Sequence, residues 1–140
     1  MTVRPRFHLA FPVVCLDATR RFFVDVLGAS VGRSAERWVD FDLYGHQLSA
    51  HLVDSVEGIG SNGVDGDAVP VRHFGCILPW DAWEALARRV EDQGVDFRIA
   101  PKVRFVGEVG EQATFFVDDP SGNSLEFKAF RDDASVFAAD

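Results

Sequence analysis

Residues 7–13 read Phe-His-Leu-Ala-Phe-Pro-Val, and residues 72–78 read Arg-His-Phe-Gly-Cys-Ile-Leu. These two stretches decide the fold because they are two copies of one pattern. Each is an apolar segment with a histidine near its start. Each leads into an amphipathic stretch that ends at a glycine, Gly28 in the first copy and Gly94 in the second. A pattern written twice predicts two equivalent supersecondary units that fold together around a shared core.

The first half of the chain has the pattern of a strand, a helix and a hairpin. Residues 7–14 are almost wholly apolar, as in a central strand, and Asp17 is the predicted N-cap of a helix that ends at Gly28. Residues 38–43 alternate between apolar and polar, and residues 46–53 follow after a short turn. These two segments therefore predict an antiparallel pair.

The second half repeats this order. Residues 71–78 predict a strand, and Asp81 with Glu84 three residues later predicts a capping box at the start of a helix. The strand-like segments that follow are residues 95–99, 103–106, 112–117 and 124–130. This order of elements predicts an α+β protein with a mixed sheet, one face of which is covered by helices.

The length of 140 residues suits a single domain built of two modules. The predicted modules are residues 7–54 and 71–130. Residues 55–70 form a predicted glycine-rich linker, and residues 131–140 form an acidic tail. The segment Asp65-Gly66-Asp67 is faintly similar to a calcium loop but lacks the downstream glutamate, so we assign it to the linker.

The charge of the chain argues against two classes of partner. The 14 basic and 22 acidic side chains leave a net charge of -8, which suits neither nucleic acid nor an anionic membrane surface. No apolar run is long enough to span a membrane, and the N-terminal residues lack the hydrophobic region of a signal peptide. We therefore expect a cytoplasmic protein. The cysteines, Cys15 and Cys76, are predicted to be buried free thiols.

Side-chain alternation places three possible metal ligands away from the core. On the last strand, Glu126 points away from the neighbouring Leu125 and Phe127, which suit the core. His8 and His73 likewise oppose the apolar residues of their own strands. Taken singly, such residues are more often ordinary sheet residues. Two histidines at equivalent repeat positions, with a carboxylate on the same face, predict a divalent metal site.

Two motifs resemble the vicinal oxygen chelate superfamily, which includes glyoxalases, extradiol dioxygenases and the fosfomycin- and bleomycin-resistance proteins. The first is Phe7-His8-Leu9 followed by Phe22-Phe23 and Val26-Leu27-Gly28, and the second is the closing run from Asp119 to Phe127. The resemblance covers residues 7–130. It implies two βαβββ modules that pair into an open, cupped mixed sheet around a divalent metal, with helices on the outer face.

The resemblance also implies which residues hold the metal. By position, His8 comes from the first strand of module one, His73 from the first strand of module two, and Glu126 from the last strand of module two. This set resembles the triad of extradiol dioxygenases, which implies iron(II) or manganese(II) and a dioxygenase-like oxidoreductase. Three protein ligands leave open positions for a small substrate with two adjacent oxygens.

A glyoxalase I-type lyase or isomerase is the alternative, with nickel(II) or zinc(II) and a fourth protein ligand from the last strand of module one. That ligand is usually a glutamate, whereas this chain has Gln47, Ser49 and His51 on one face there. His51 is a candidate fourth ligand or a candidate catalytic acid/base, and we favour the second role. An ordinary polar strand residue is an equally good interpretation of His51.

A third alternative is a bleomycin-resistance-like protein that binds a small molecule without catalysis. Such members typically lack the metal ligands, which this chain retains. All three alternatives imply a small-molecule partner, which Arg104 or Lys128 could hold if it is anionic, although solvated basic side chains are commoner. By analogy with similar two-module proteins, we predict a homodimer.

Overall fold

The structure is a computed structural model that describes residues 4–58 and 60–139. Residues 1–3, 59 and 140, which belong to the predicted N-terminal lead-in, linker and tail, lie outside this described part. The chain divides into two units. One contains the described residues up to 57 together with 119–122, and the other contains residues 58–118 and 123–139.

The first unit has one four-stranded sheet. Its elements are β1 (His8–Val13), α1 (Leu16–Arg21), a π-helical turn (Phe22–Val26), β2 (Ser30–Ala35), β3 (Trp38–Leu43) and β4 (His46–Leu52). The strand order is β1-β4-β3-β2, with β1 parallel to β4 and the other neighbours antiparallel. The sequence did not indicate β2, because this edge strand is exposed throughout and has no alternation of apolar and polar residues.

The second unit repeats this arrangement. Its elements are β5 (Ser61–Val64), β6 (Asp67–Pro70), β7 (Phe74–Ile77), α2 (Trp80–Asp92), β8 (Ile99–Arg104), β9 (Gln112–Asp118), β10 (Ser124–Phe130) and a 3₁₀ turn (Asp133–Ser135). Its four-stranded sheet has the order β7-β10-β9-β8, with β7 parallel to β10. Because both sheets have one topology, the predicted α+β fold of two βαβββ modules is confirmed. No helix in the described part of the chain is long and apolar enough to cross a membrane.

Alternate residues of β3 and β10 lie in the core, as the sequence predicted, whereas β9 is buried on both faces. In the first unit, the buried Phe23 of the π-helical turn stacks on Phe41 of β3 with ring centroids 4.9 Å apart. In the second unit, Trp83 of α2 donates a hydrogen bond from Nε1 to the carbonyl oxygen of Phe127 at 2.8 Å. The bond satisfies the polar atom of a large buried ring. One face of each sheet is therefore apolar and covered, which leaves the polar residues on the other face.

The first helix begins differently from the prediction. Asp17 was the expected N-cap, but α1 begins at Leu16, and the N-cap is Cys15, whose Sγ accepts the Ala18 N–H at 3.4 Å. Asp17 lies in the first turn, where its charge favours the helix dipole. Cys15 is exposed and Cys76 is partly buried, which corrects the prediction of two buried thiols, and both cysteines are free as predicted.

The second helix also begins earlier than predicted, at Trp80 after Pro79. Proline fixes the backbone dihedral φ and needs no hydrogen-bond acceptor, so it suits a helix start. The predicted capping box does not form. Asp81 accepts the N–H of Ala82, and Glu84 accepts a hydrogen bond from the Trp80 indole at 3.1 Å.

The predicted linker contains regular structure. Strands β5 and β6 form an antiparallel hairpin, which we call the 61–70 hairpin, and its turn residues Asp65 and Gly66 both have positive φ. Val69 packs in a buried cluster with Ile99 and Phe116. The hairpin is therefore part of the second unit and covers one area of its sheet.

Candidate functional site

His73 and Glu126, two of the three predicted metal ligands, lie together in the second unit. The Nε2 atom of the His73 ring is 3.2 Å from Oε1 of Glu126, and both side chains are mostly buried. His73 directly precedes β7, and Glu126 lies in the middle of β10, beside β7 in the sheet. Glu126 thus opposes the buried Leu125 and Phe127, as alternation along β10 predicted, and His73 contacts it there. Their role as metal ligands stays a prediction.

A glycine allows this approach. Gly75 lies opposite Glu126 in the parallel β7–β10 pair. A Cβ atom at Gly75 would overlap the carbonyl oxygen of Glu126, so any other residue would push the two strands apart. A glycine inside a strand often marks close backbone contact, and this signal was available from the sequence.

Each of the two side chains uses its second polar atom in a hydrogen bond to a neighbouring residue. The Nδ1 atom of His73 lies 2.7 Å from the carbonyl oxygen of Pro70, which can only accept, so Nδ1 carries a hydrogen. The hydroxyl of the buried Thr114 donates to Oε2 of Glu126 at 2.5 Å. Nε2 and Oε1 are therefore the atoms that remain to face a common point. Thr114 was not among the predicted site residues, although alternation along β9 places it on the same face.

These contacts shift both pKa values in opposite directions. The hydrogen bond to Glu126 raises the pKa of His73, burial works against this rise, and the Pro70 carbonyl adds to it. Burial alone would raise the pKa of Glu126, but the hydrogen bonds from His73 and Thr114 outweigh it and the pKa is lowered. Without a metal, the pair therefore favours an imidazolium beside a carboxylate.

His73 and Glu126 have the spacing expected of two ligands of one divalent metal ion. Two donors that each lie about 2.1 Å from one ion are about 3.0 Å apart at a right angle and about 3.4 Å apart at a tetrahedral angle. The separation of 3.2 Å between Nε2 and Oε1 falls between these values. The Nδ1 contact to a backbone carbonyl is also the arrangement that orients metal-binding histidines in proteins.

His73 and Glu126 line a small cavity of about 170 Å³. The other lining residues are Gly75, Cys76, Ile77 and Lys128. Burial raises the pKa of Cys76 to about 11, so in metal-free protein its thiol is protonated at neutral pH and is not a nucleophile. Lys128 brings the cavity a positive charge.

The third predicted ligand, His8, lies in the other unit. It is exposed at the start of β1, on the face of the sheet that opposes the buried Phe11 and Val13. Within each unit, no three described His, Cys, Asp or Glu side chains form a ready-made metal-binding group. That His8 completes the ligand set stays a prediction.

His51 also lies in the first unit and is exposed. It pairs with Pro12, whereas His8 pairs with Gln47, four positions earlier on β4. This offset is about 13 Å along the strand, and strand side chains stand roughly perpendicular to the sheet. Direct coordination of one ion by both rings is therefore disfavoured, and the acid/base role of His51 stays a prediction.

Arg104, a candidate for holding an anionic substrate that was more simply expected to be solvated, is instead buried and contacts the 61–70 hairpin. Its Nη1 donates to the Val64 carbonyl at 2.8 Å, and its Nη2 lies 3.0 Å from a carboxylate oxygen of Asp67. Lys102 also binds Asp67, at 2.8 Å. The guanidinium of Arg104 therefore contacts the hairpin through an ion pair and is not available to a substrate.

The chain is similar to proteins of known structure along nearly its whole length. A glyoxalase/bleomycin resistance protein/dioxygenase from Alicyclobacillus acidocaldarius is 33% identical, with a TM-score of 0.83 over 95% of this chain and 96% of that chain. The fosfomycin resistance protein FosX of Listeria monocytogenes is 17% identical and shares the fold, with a TM-score of 0.67 over 92% of this chain and 95% of that chain. No curated protein matches the chain.

A family profile agrees with these structures. The profile described as Glyoxalase/Bleomycin resistance protein/Dioxygenase superfamily matches residues 7–127. This range contains both repeated stretches, and with them His8, His73 and Glu126. The chain therefore belongs to the glyoxalase/bleomycin resistance protein/dioxygenase superfamily.

Proposed function

We propose that this protein is a divalent-metal-dependent enzyme whose small substrate binds through two adjacent oxygens. The observation that carries the proposal is the His73–Glu126 pair, in which Nε2 and Oε1 are 3.2 Å apart and their outer partner atoms are fixed. His8 is the proposed third ligand, which leaves open coordination positions for the substrate. A bound divalent cation supplies the Lewis acidity that stabilises negative charge on the substrate oxygens.

The protein residues hold the donors in place. The Pro70 carbonyl keeps the hydrogen of His73 on Nδ1, so the Nε2 lone pair is free once its proton is lost. The Thr114 hydroxyl orients Glu126. Burial of Glu126 limits access of water to the carboxylate. His51 is the proposed proton-transfer residue.

The ligand set favours a dioxygenase-like oxidoreductase with iron(II) or manganese(II). Two histidines and one carboxylate are typical of such sites. The residues of β4 on the face of His8 are Gln47, Ser49 and His51, so this strand offers no carboxylate as the fourth ligand of a nickel or zinc glyoxalase. In support of a divalent metal, a variant of the FosX protein of Listeria monocytogenes, 17% identical to this chain, is known in complex with Mn(II) and 1S,2S-dihydroxypropylphosphonic acid.

Metal analysis tests this proposal. Protein purified without a nickel column and loaded anaerobically with iron(II) or manganese(II) should retain close to one equivalent. His8→Ala, His73→Ala and Glu126→Ala should each lower metal affinity by a factor of about ten or more. His46→Ala is the matched control, because this histidine accepts the N–H of Phe7 and is not a proposed ligand. His51→Ala should keep its metal and lose turnover.

Two activity assays then separate the reaction types. After dioxygen is admitted as the oxidant, iron-loaded protein should cleave a catechol in a substrate screen, whereas nickel- or zinc-loaded protein should not convert a methylglyoxal–thiol adduct. Less than a tenth of an equivalent of metal after reconstitution would overturn the proposal and favour a small-molecule binding protein. Full metal content in the three ligand variants would show that the site is misplaced.

A further inference from the structure

The chain contains very few lysines, and both lie near the proposed site. Twelve of the 14 basic residues are arginines, and the two lysines are Lys102 and Lys128. Both lie on the site face of the second sheet, because Thr114 of β9 pairs with Lys128 on one side and with Lys102 on the other. The side chains of directly paired residues share a face of the sheet.

The two lysines differ in their partners. Lys102 is bound to Asp67 of the 61–70 hairpin at 2.8 Å. Among residues 4–58 and 60–139, no carboxylate lies within ion-pair distance of Lys128, whose ammonium lies 5.8 Å from the ring centroid of Phe130. Lys128 is half-buried and lines the same cavity as His73 and Glu126. A half-buried ammonium beside a proposed metal site is therefore free to bind a ligand.

The formal charges of the cavity residues and of a bound metal indicate the net charge of a ligand that would neutralise them. The formal charges of Glu126 and Lys128 cancel, so a divalent cation would leave the cavity with two net positive charges. A vicinal oxygen pair that loses one proton neutralises one of them. An additional anionic group on the substrate would neutralise the other, and Lys128 is the residue positioned to contact it.

We infer that Lys128 is a specificity-determining residue that selects substrates with a carboxylate a few bonds away from the vicinal oxygens. The inference rests on the proposed function, since the vicinal oxygens need the metal. Glu126 and Lys128 are two residues apart on β10, a span of about 7 Å along the strand, which is the scale of a single small ring. The cavity of about 170 Å³ is smaller than typical drug-sized pockets of about 300–1,000 Å³, so the substrate is small.

Two probes that differ only in the carboxylate test this inference. Catechol and 3,4-dihydroxybenzoate present the same pair of oxygens. Calorimetric titration of the manganese(II)-loaded protein under anaerobic conditions should show that 3,4-dihydroxybenzoate binds about tenfold more tightly than catechol, as expected for one charge-assisted hydrogen bond. Lys128→Met should abolish this preference, and Lys128→Arg should retain most of it.

The matched control is Arg88→Met, which removes one exposed positive charge from α2, a helix that contributes no residue to the cavity lining. It should leave the preference intact. Equal affinity of the two probes for wild-type protein, a preference that survives Lys128→Met, or binding of neither probe would overturn the inference. In each of these cases, retained manganese would leave the proposed metal-dependent function standing.

Amine labelling gives a second readout that needs no metal. Mass spectrometry can follow acetylation at Lys128 and Lys102 separately, because the chain has no other lysine. In metal-free protein, 3,4-dihydroxybenzoate should slow labelling of Lys128 severalfold without affecting Lys102, and catechol should protect neither. This result supports a carboxylate site at Lys128 even if manganese fails to bind, whereas equal protection by both probes overturns it.

Discussion

The ring of His73 and the carboxylate of Glu126 form one hydrogen-bonded unit, with Nε2 and Oε1 3.2 Å apart and a buried Thr114 hydroxyl on the far carboxylate oxygen. This His73–Glu126 pair connects the start of the second module to its last strand, β10. The pKa of His73 is raised and that of Glu126 is lowered, so the protonation state of the pair depends on pH.

The pH dependence of stability follows from these shifts. The raised pKa of His73 means that its protonated ring stabilises the fold below its ordinary value of 6.5, and this contribution is lost as the pH rises through the raised pKa. The lowered pKa of Glu126 means that its carboxylate stabilises the fold above 4.5, and this contribution is lost as the pH falls. The metal-free pair should therefore contribute most between pH 4.5 and 6.5.

Urea denaturation of metal-free protein checks this expectation. His73→Gln should lower the free energy of unfolding more at about pH 5.5 than at about pH 8.5, by a few tenths to about 1 kcal/mol, because the pair is only partly shielded from water. In a Glu126→Gln background, the same substitution should show no such pH dependence. Metal affinity should change in the opposite direction and rise with pH, since the ion displaces the Nε2 proton.

Gly75→Ala should disrupt the site although it replaces none of the proposed ligands. The new Cβ overlaps the Glu126 carbonyl oxygen, so β7 and β10 must separate. We expect a loss of about 2–3 kcal/mol in the free energy of unfolding and weaker metal binding. Gly63→Ala is the control, because nothing lies within 4 Å of its added Cβ. Similar stability of the two variants would contradict the close approach of the strands.

Thr114→Val should weaken metal binding while the ligands remain. The substitution removes the hydroxyl that orients Glu126 but keeps the shape of the side chain. We expect metal affinity to fall about 10–100-fold, as is usual when a partner of a metal ligand is lost. Thr19→Val is the control, since Thr19 is equally buried and donates to the Cys15 carbonyl in the other unit. It should cost stability without changing metal affinity, and parallel losses in both variants would count against the role of Thr114.

Asp67→Asn should loosen the 61–70 hairpin. Asp67 binds Lys102 and the buried Arg104, and its loss leaves the Arg104 guanidinium without a counter-charge. The hydrogen bond from Lys102 lowers the pKa of Asp67, so in wild-type protein this contribution is present above pH 3.8 and is lost as the pH falls further. Faster amide hydrogen exchange over residues 61–70 at neutral pH would confirm the expectation. Asp65→Asn, at the turn, should leave exchange unchanged because asparagine tolerates its positive φ.

The 61–70 hairpin shows where sequence reasoning fell short. Asp65-Gly66 is a strong signal for a two-residue hairpin turn, and both residues have positive φ. The segment nevertheless has the composition of a linker, because Ser61-Asn62-Gly63-Val64 is a poor strand sequence that gains its structure from pairing with β6. The predicted N-caps Asp17 and Asp81 were wrong for a related reason. Several local hydrogen bonds compete at a helix end and differ little in energy.

The sequence alone determined the repeat, the fold class and the face of each strand on which His8, His73 and Glu126 lie, because alternation along a strand is a local property of the backbone. Only the tertiary structure decided which atoms meet. The register of β7 against β10, the space left by Gly75 and the contacts of Thr114 and Pro70 depend on pairing between segments far apart in the chain, and local patterns do not encode that pairing.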